Sequence, residues 1–155
     1  TALGPLFGNP GTLLDTLADL RRRGRLTHFR GRLCLRTPAE PVELPAGHHL
    51  LRRVAGLGDL AARLLHSVAV WDGMTVDDLP LLAEVTGTPL DDCGRLLDRL
   101  IDAQVLVVDP AGRLSCRCPA LAAWAVGAAG GDGGAALHAA VAERLLSRHR
   151  RGAGV

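Results

Sequence analysis

The segment between Asp59 and Cys118 constrains the fold most, because three short helical patterns are followed there by one tight hairpin pattern. The first helix begins at Gly58-Asp59, and its apolar face recurs at helical spacing through Leu60, Leu64, Val68 and Trp71. This order of elements restricts the set of possible folds more than the amino-acid composition does.

The next two helices carry capping signals. Thr75 and Asp78 are three residues apart, as are Thr88 and Asp91, and this spacing predicts a capped helix N terminus at each place. Gly87 ends the helix between them, and the proline after Thr88 favours a new helix start. Two helices joined by so short a turn predict a helix-turn-helix.

A hairpin pattern follows. Val105–Val108 is an apolar strand run, Asp109-Pro110-Ala111-Gly112 has the proline and glycine of a type I turn, and residues 113–118 alternate. We therefore predict a mainly α fold with short β-hairpins, in which a winged helix-turn-helix over residues 46–118 is flanked by additional helices. A helix over residues 46–56 would begin this unit.

The N-terminal flank, residues 1–45, is predicted to form a helix, a hairpin and a linker. Residues 12–23 form a predicted helix that Gly24 ends; Thr12 is its expected N-cap, and its expected apolar stripe is Leu13, Leu14, Leu17 and Leu20. Residues 25–36 alternate around Arg30-Gly31, which predicts a short hairpin. The proline-rich stretch 37–45 predicts an extended linker, so residues 1–45 form one unit.

The C-terminal flank, residues 119–155, predicts two alanine-rich helices over 120–129 and 135–149. A glycine-rich stretch at 130–134 would make their joint flexible. Leu137, Val141 and Leu145 form an apolar stripe on the last helix, and we expect this stripe to need a partner from outside the segment.

Charge on the third helix argues against contact with DNA. Leu90, Cys93, Leu97 and Leu100 share its apolar face, and the opposite face carries Asp91, Asp92, Asp98 and Asp102 against only Arg95 and Arg99. Phosphate contacts supply much of the affinity for nucleic acid, so a net negative helix opposes entry into a groove. We expect contacts to protein instead, and ordinary surface ion pairs between Asp91 and Arg95 and between Arg99 and Asp102.

Positive charge is concentrated elsewhere. The net charge is +2, but residues 21–36 alone carry +7 and no acidic group. This basic block is a candidate docking surface, and it consists of Arg21, Arg22, Arg23, Arg25, Arg30, Arg32 and Arg36. Solvation, helix-dipole pairing and an anion-binding face are the alternative roles. In an alternative reading, a free-standing DNA-binding winged helix, this block and the wing arginines Arg113 and Arg117 would grip phosphate.

No chemistry of a self-contained enzyme is expected. The chain has no Lys, so it cannot complete a Walker A phosphate-binding loop, and no nucleophile motif occurs. Three cysteines, Cys93, Cys116 and Cys118, fall on apolar faces, so we expect small core residues and no metal site. We expect the thiols to be reduced, as is typical of cytoplasmic proteins. His48 and His49 would point about 100° apart on a helix, so we do not expect both to face one metal ion. We expect His66 to be a core histidine with its hydrogen bonds satisfied.

The chain is expected to be a soluble piece of a longer protein. No apolar run approaches the roughly eighteen residues of a membrane span, so we expect no membrane partner. The sequence opens at Thr1 without an initiator Met or a signal peptide pattern.

The order of motifs resembles a known family. Gly8-Asn9-Pro10 before a leucine-rich helix is similar to the G-x-P motif that closes the ATPase module of STAND-class regulators. The segments ELPAG, DLAARLLHSVAV, LIDAQVLVVDPAGRL and ALHAAVAERLL follow in the order found in the large ATP-binding regulators of the LuxR family in actinomycetes. The resemblance covers nearly all 155 residues.

This resemblance implies a regulatory role. Gly8 and Pro10 would lie near the nucleotide base, residues 1–45 would end the ATPase module, and residues 119–155 would begin a helical sensor. ATP or ADP would bind in the parent protein and not in this segment, the partners would be neighbouring domains, and a separate C-terminal domain would bind promoters. The basic block would face either an acidic docking surface or the nucleotide side. The family commonly has an Arg-His pair after the wing, with the His near the nucleotide phosphate, whereas this chain has Arg117-Cys118. A neutral thiol is a weak donor, so phosphate sensing at this position is not expected.

Overall fold

The computed structural model describes residues 10–71, 73–128 and 131–152. Over these residues the fold is mainly helical with two short antiparallel hairpins, as predicted. In chain order the elements are α1 (Pro10–Arg22), β1 (Leu26–Phe29), β2 (Arg32–Leu35), α2 (His49–Leu57), α3 (Asp59–Val70), α4 (Leu79–Thr86), α5 (Leu90–Asp102), β3 (Leu106–Val108), β4 (Leu114–Cys116), α6 (Pro119–Ala128) and α7 (Gly131–Gly152). Within those ranges, no helix combines the length and apolar character that a membrane crossing requires.

One hydrophobic core joins the helices from α2 to α6. Each of these five helices contributes one leucine without exposed surface, namely Leu50, Leu65, Leu82, Leu100 and Leu121. The helices α3 and α6 make the most extensive contact, and α5 packs on α3. Burial of this apolar surface is the main stabilising contribution to the domain.

The hairpin β3–β4 is held against this core by a third segment of backbone. Leu114 N–H donates to Met74 C=O at 2.8 Å, and Val76 N–H donates to Gly112 C=O at 3.0 Å. Thr75 and Arg113 thus form an antiparallel bridge beside β4. The predicted turn is present, because Asp109 C=O accepts from Gly112 N–H at 2.9 Å.

Local capping was predicted correctly at one helix and wrongly at another. Thr75 N–H and its hydroxyl donate to Asp78 Oδ2 at 2.9 and 2.8 Å, immediately before α4. Gly87 ends α4 with a left-handed φ of 65°. Thr88, however, does not cap α5: Pro89 occupies that position without a side-chain cap, because the helix begins one residue later than expected.

Helix α1 begins earlier than predicted and buries a different face. Pro10 is its first residue, so Thr12 lies inside the helix and is buried, and it is not the N-cap. The buried residues are Thr12, Thr16 and Leu20, whereas Leu14 is 66% exposed. The helix ends at Arg22, and the predicted stop residue Gly24 follows with a left-handed φ of 66°. The hairpin β1–β2 then turns at Arg30-Gly31, both with positive φ.

The glycine-rich stretch near the C terminus does not form a flexible joint where the structure describes it. Helix α7 already includes residues 131–134, and a Cβ at Gly134 would lie 3.6 Å from Val70. Val141 is buried and Leu137 packs on the core, so part of the predicted apolar stripe finds its partner within this domain. Leu145 remains 50% exposed.

Candidate functional site

A cleft of about 320 Å³ lies between α1 and the start of α2. Its charged and titratable lining consists of Asp15, Asp19, Arg22, Arg23, His48 and Arg52, and we call it the α1–α2 cleft. A turn closes one side of it, where His48 N–H donates to Pro45 C=O at 2.8 Å and aims the chain into α2. The cleft therefore combines the C-terminal turns of one helix with the N terminus of another.

His48 is the buried member of this cleft. It is 1% exposed and caps α2, because its Nδ1 accepts a hydrogen bond from Leu50 N–H at 3.2 Å. A neutral imidazole carries one proton, so Nε2 must then be an N–H donor. Nε2 is buried and has no hydrogen-bond partner among the described residues. Burial lowers the pKa of His48, the neighbouring His49 and Arg52 lower it further, and Asp15 acts in the opposite direction.

His49 contacts the same Asp15 carboxylate and so joins α2 to α1. Its Nδ1 lies 3.2 Å from Asp15 Oδ2, and His48 Nε2 lies 4.0 Å from that oxygen. The expectation that the two histidines diverge is wrong, because His48 precedes the helix and only His49 lies on it. No sequence pattern linked either residue to Asp15, which is more than thirty positions away.

These three groups have the separations of a candidate metal site. The ligand atoms of Asp15, His48 and His49 lie within 4.8 Å of one another. A metal ligand must offer a free lone pair, however, and the lone pair of His48 Nδ1 already accepts from Leu50 while Nε2 carries the proton. The described geometry thus offers a cation at most His49 and the carboxylate.

The arginines of the cleft differ in their pairing. Asp19 accepts a hydrogen bond from Arg22 at 3.0 Å and forms an ion pair with Arg23 at 2.7 Å. Arg52 has no ion pair within the described ranges, although it lies close enough to His48 to affect its protonation. The cleft therefore contains three guanidinium groups and two carboxylates. Each of the two carboxylates already has a partner.

The predicted basic block does not form one continuous strip. Arg22 and Arg23 line the cleft, while Arg25 fastens the linker by an ion pair to Glu40 at 3.2 Å. Arg30 lies over the ring of Phe29, 5.3 Å from its centroid, at the tip of β1–β2. The remaining members, Arg21, Arg32 and Arg36, are exposed.

The exposed face of α5 keeps the acidic character predicted for it. Cys93, Leu97 and Leu100 are buried, whereas Asp91, Asp98 and Asp102 are exposed. The expected pairing is wrong in detail: Asp92, and not Asp91, forms the ion pair with Arg95. No Arg99–Asp102 pair forms in the described part of the chain.

The wing arginines are both exposed. Arg113 lies 3.7 Å from Asp109 Oδ2, so its charge is partly balanced within the turn of the wing. Arg117 donates its backbone N–H to Val105 C=O at 2.9 Å and directs its side chain to solvent.

The cysteines behave as small interior residues at three of four positions. Cys93 and Cys118 are buried and Cys116 is half-buried, and all four thiols are free. Burial raises the pKa of Cys118, and it raises that of Cys116 to about 12, so both remain neutral thiols near pH 7. His66 is half-buried and its Nδ1 lies 3.0 Å from Ala125 C=O, but its buried Nε2 has no hydrogen-bond partner among the described residues, so the ring is only partly satisfied.

Of the two residues that the resemblance places near the nucleotide, the structure describes one. Gly8 lies outside the described residues, and Pro10 is the exposed first residue of α1. Compared with known proteins, the chain matches no protein-family model, no curated protein and no solved structure.

Proposed function

We propose that this chain is a regulatory interdomain segment of a bacterial ATP-binding transcription regulator of the LuxR type. Its winged helix would dock against neighbouring domains of the same protein. Residues 1–45 would end the ATPase module and residues 119–155 would begin the sensor. Nucleotide and promoter DNA would be bound by parts of the parent protein outside this segment, which itself would catalyse no reaction.

The helix and strand order supports the winged-helix part of this proposal. Helices α3, α4 and α5 precede the hairpin β3–β4, and α4 and α5 are joined by only three residues, 87–89. The isolated antiparallel bridge between Thr75 and Arg113 places a third backbone segment beside the hairpin. Three helices beside a small antiparallel sheet of this kind are typical of a winged helix-turn-helix.

The exposed face of α5 is the observation that carries the docking role. The second helix of a helix-turn-helix enters the major groove in DNA-binding members of this fold. Here that helix has four aspartates and two arginines, and the ion pair with Asp92 further engages Arg95. A duplex would have to overcome this net negative charge, whereas a basic protein surface would be attracted by it.

Exposed leucines at the two ends of the chain are compatible with neighbouring domains there. Leu14 on α1 is 66% exposed, and the adjacent Leu145 and Leu146 on α7 are 50% and 58% exposed. Single exposed leucines are common, but an adjacent pair on a terminal helix fits a surface that a following domain covers. Docking of this kind would be a two-state equilibrium, which ATP shifts by binding one arrangement better than the other.

The reading frame on both sides of this segment gives the first test. The proposal expects an upstream GxxxxGK[ST] loop and a downstream LuxR-type helix-turn-helix. In that full protein, ATP should change the hydrogen exchange of amides in α5 by at least about tenfold, as docking covers or releases the helix. A frame without the upstream loop, or amides of α5 whose exchange ignores ATP, contradicts the proposal.

A further inference from the structure

We propose that the α1–α2 cleft binds a phosphate group, with His48 as the buried donor and Arg52 as the principal cation. The site would bind either free inorganic phosphate or the phosphate of a larger ligand, and a nucleotide bound here would be additional to the ATP of the proposed ATPase module. None of the residues that line the cleft belongs to α5 or the wing, so the site goes beyond the docking role and does not depend on it.

The unpaired N–H of His48 is the first reason to expect an anion in this cleft. Since Leu50 N–H occupies Nδ1, the proton must be on Nε2, where no acceptor lies within hydrogen-bond distance among the described residues. The nearest carboxylate oxygen, on Asp15, is 4.0 Å away. A buried donor without a partner is unfavourable. Nε2 has almost no accessible surface, so a phosphate oxygen reaches it only when a neighbouring side chain moves aside, and this contact would then satisfy the unpaired donor.

The charge of the cleft favours an anion over a cation. Asp19 is paired with Arg22 and Arg23, and Asp15 with His49. Arg52 is left without a carboxylate within the described ranges. A divalent metal ion would face these guanidinium groups and a protonated Nε2, whereas a phosphate would gain charge-assisted hydrogen bonds from both.

The N terminus of α2 adds a further favourable contribution. The nine-residue helix His49–Leu57 begins at the cleft, so the positive end of its dipole lies there. The volume of about 320 Å³ falls at the lower end of the range of about 300–1,000 Å³ for small-molecule pockets. A phosphate group with a modest substituent fits this volume.

Asp19 would act as an internal competitor. Its carboxylate holds Arg22 and Arg23, both of which line the cleft. A phosphate must share or displace this carboxylate to engage either arginine. Removal of the Asp19 charge should therefore strengthen binding, an effect that is not expected of a merely structural residue.

Isothermal titration of the 155-residue chain tests the site, with inorganic phosphate in one arm, ADP in a second and zinc chloride in a third, all at constant ionic strength. Phosphate or ADP should bind in a saturable manner, and a preference for ADP would identify a nucleotide as the source. Arg52→Gln and His48→Asn should each weaken binding by about tenfold or more, because each removes a charge-assisted contact. Asp19→Asn should tighten it several-fold. The matched control Arg144→Gln removes the same charge from an exposed position on α7, outside the cleft, and should change nothing.

His48→Asn keeps a side-chain oxygen at the N-cap, so the helix start is preserved. The wild-type ring provides an independent readout, since saturating phosphate should shift the Nε2 resonance of His48 and raise the pH at which this ring titrates. Absence of saturable phosphate and ADP binding, equal weakening by Arg144→Gln, an unshifted His48 resonance, or zinc binding that excludes phosphate would each overturn the proposal.

Discussion

The backbone N–H of Leu50 donates to Nδ1 of His48, and this bond couples the protonation state of one buried ring to the start of α2. A second proton on the ring would occupy Nδ1 and face the amide hydrogen that Nδ1 now accepts. The native arrangement therefore requires a neutral imidazole. This requirement agrees with the lowered pKa that burial gives the residue.

Acidification should destabilise the domain through His48. The unfolded chain takes up a proton near the ordinary pKa of 6.5, whereas the folded chain does so only at lower pH. The stabilising contribution is therefore complete above pH 6.5 and is lost as the pH falls through the folded-state pKa, at a rate of up to about 1.4 kcal/mol per pH unit. Urea unfolding at pH 7.5, 6.5, 5.5 and 5.0 measures this dependence.

The variant His48→Asn should flatten that pH profile, because asparagine can cap the helix and does not titrate. The matched control His138→Asn changes an exposed histidine on α7 and should leave the wild-type profile intact. Equal slopes for wild type and His48→Asn would show that the coupling is absent.

Two glycines should respond to the same substitution with opposite signs. Gly112 has a left-handed φ of 78° after the turn of the wing, so Gly112→Ala should destabilise the fold by about 1–2 kcal/mol. Gly127 lies within α6 with open space around its missing Cβ, so Gly127→Ala should stabilise it by about 0.5–1 kcal/mol. Thermal melting of both variants checks the pair, and a stable Gly112→Ala protein would contradict the turn described here.

Thiol reactivity should separate Cys34 from the other cysteines. Cys34 is only half-buried, on the hairpin β1–β2 outside the main core, whereas Cys93 and Cys118 are buried. Burial raises the pKa of Cys116 to about 12, so little of its reactive thiolate is present at pH 8. Iodoacetamide at pH 8 should modify Cys34 about tenfold faster or more, as followed by mass spectrometry of tryptic peptides. Early modification of Cys116 or Cys118 would contradict their placement.

Features with a local cause could be predicted from the sequence. The capping pair Thr75 and Asp78, the end of α4 at Gly87 and the turn at Arg30-Gly31 each depend on a few adjacent residues. The acidic face of α5 was equally predictable, because helical spacing alone separates its aspartates from Cys93 and Leu97.

The candidate cleft could not be predicted, because packing between distant segments creates it. Asp15 meets His48 and His49 only when α1 lies against α2. The role of His48 also depends on where α2 begins, and residues 46–48 belong to the preceding turn and not to the helix. Similarly, α7 includes glycines whose sequence favours a break, and this helix packs against α3 and α4, which are distant in sequence.

The acidic face of α5 makes the binding of duplex DNA by this chain the most direct test of the docking account. Fluorescence anisotropy with a labelled duplex, at 50 and 200 mM salt, should give no sub-micromolar binding, and a mixed-sequence competitor should displace whatever weak binding occurs. Sub-micromolar affinity with a steep salt dependence, lost in Arg95→Gln or Arg99→Gln but retained in Arg36→Gln, would place α5 in a groove and contradict the account.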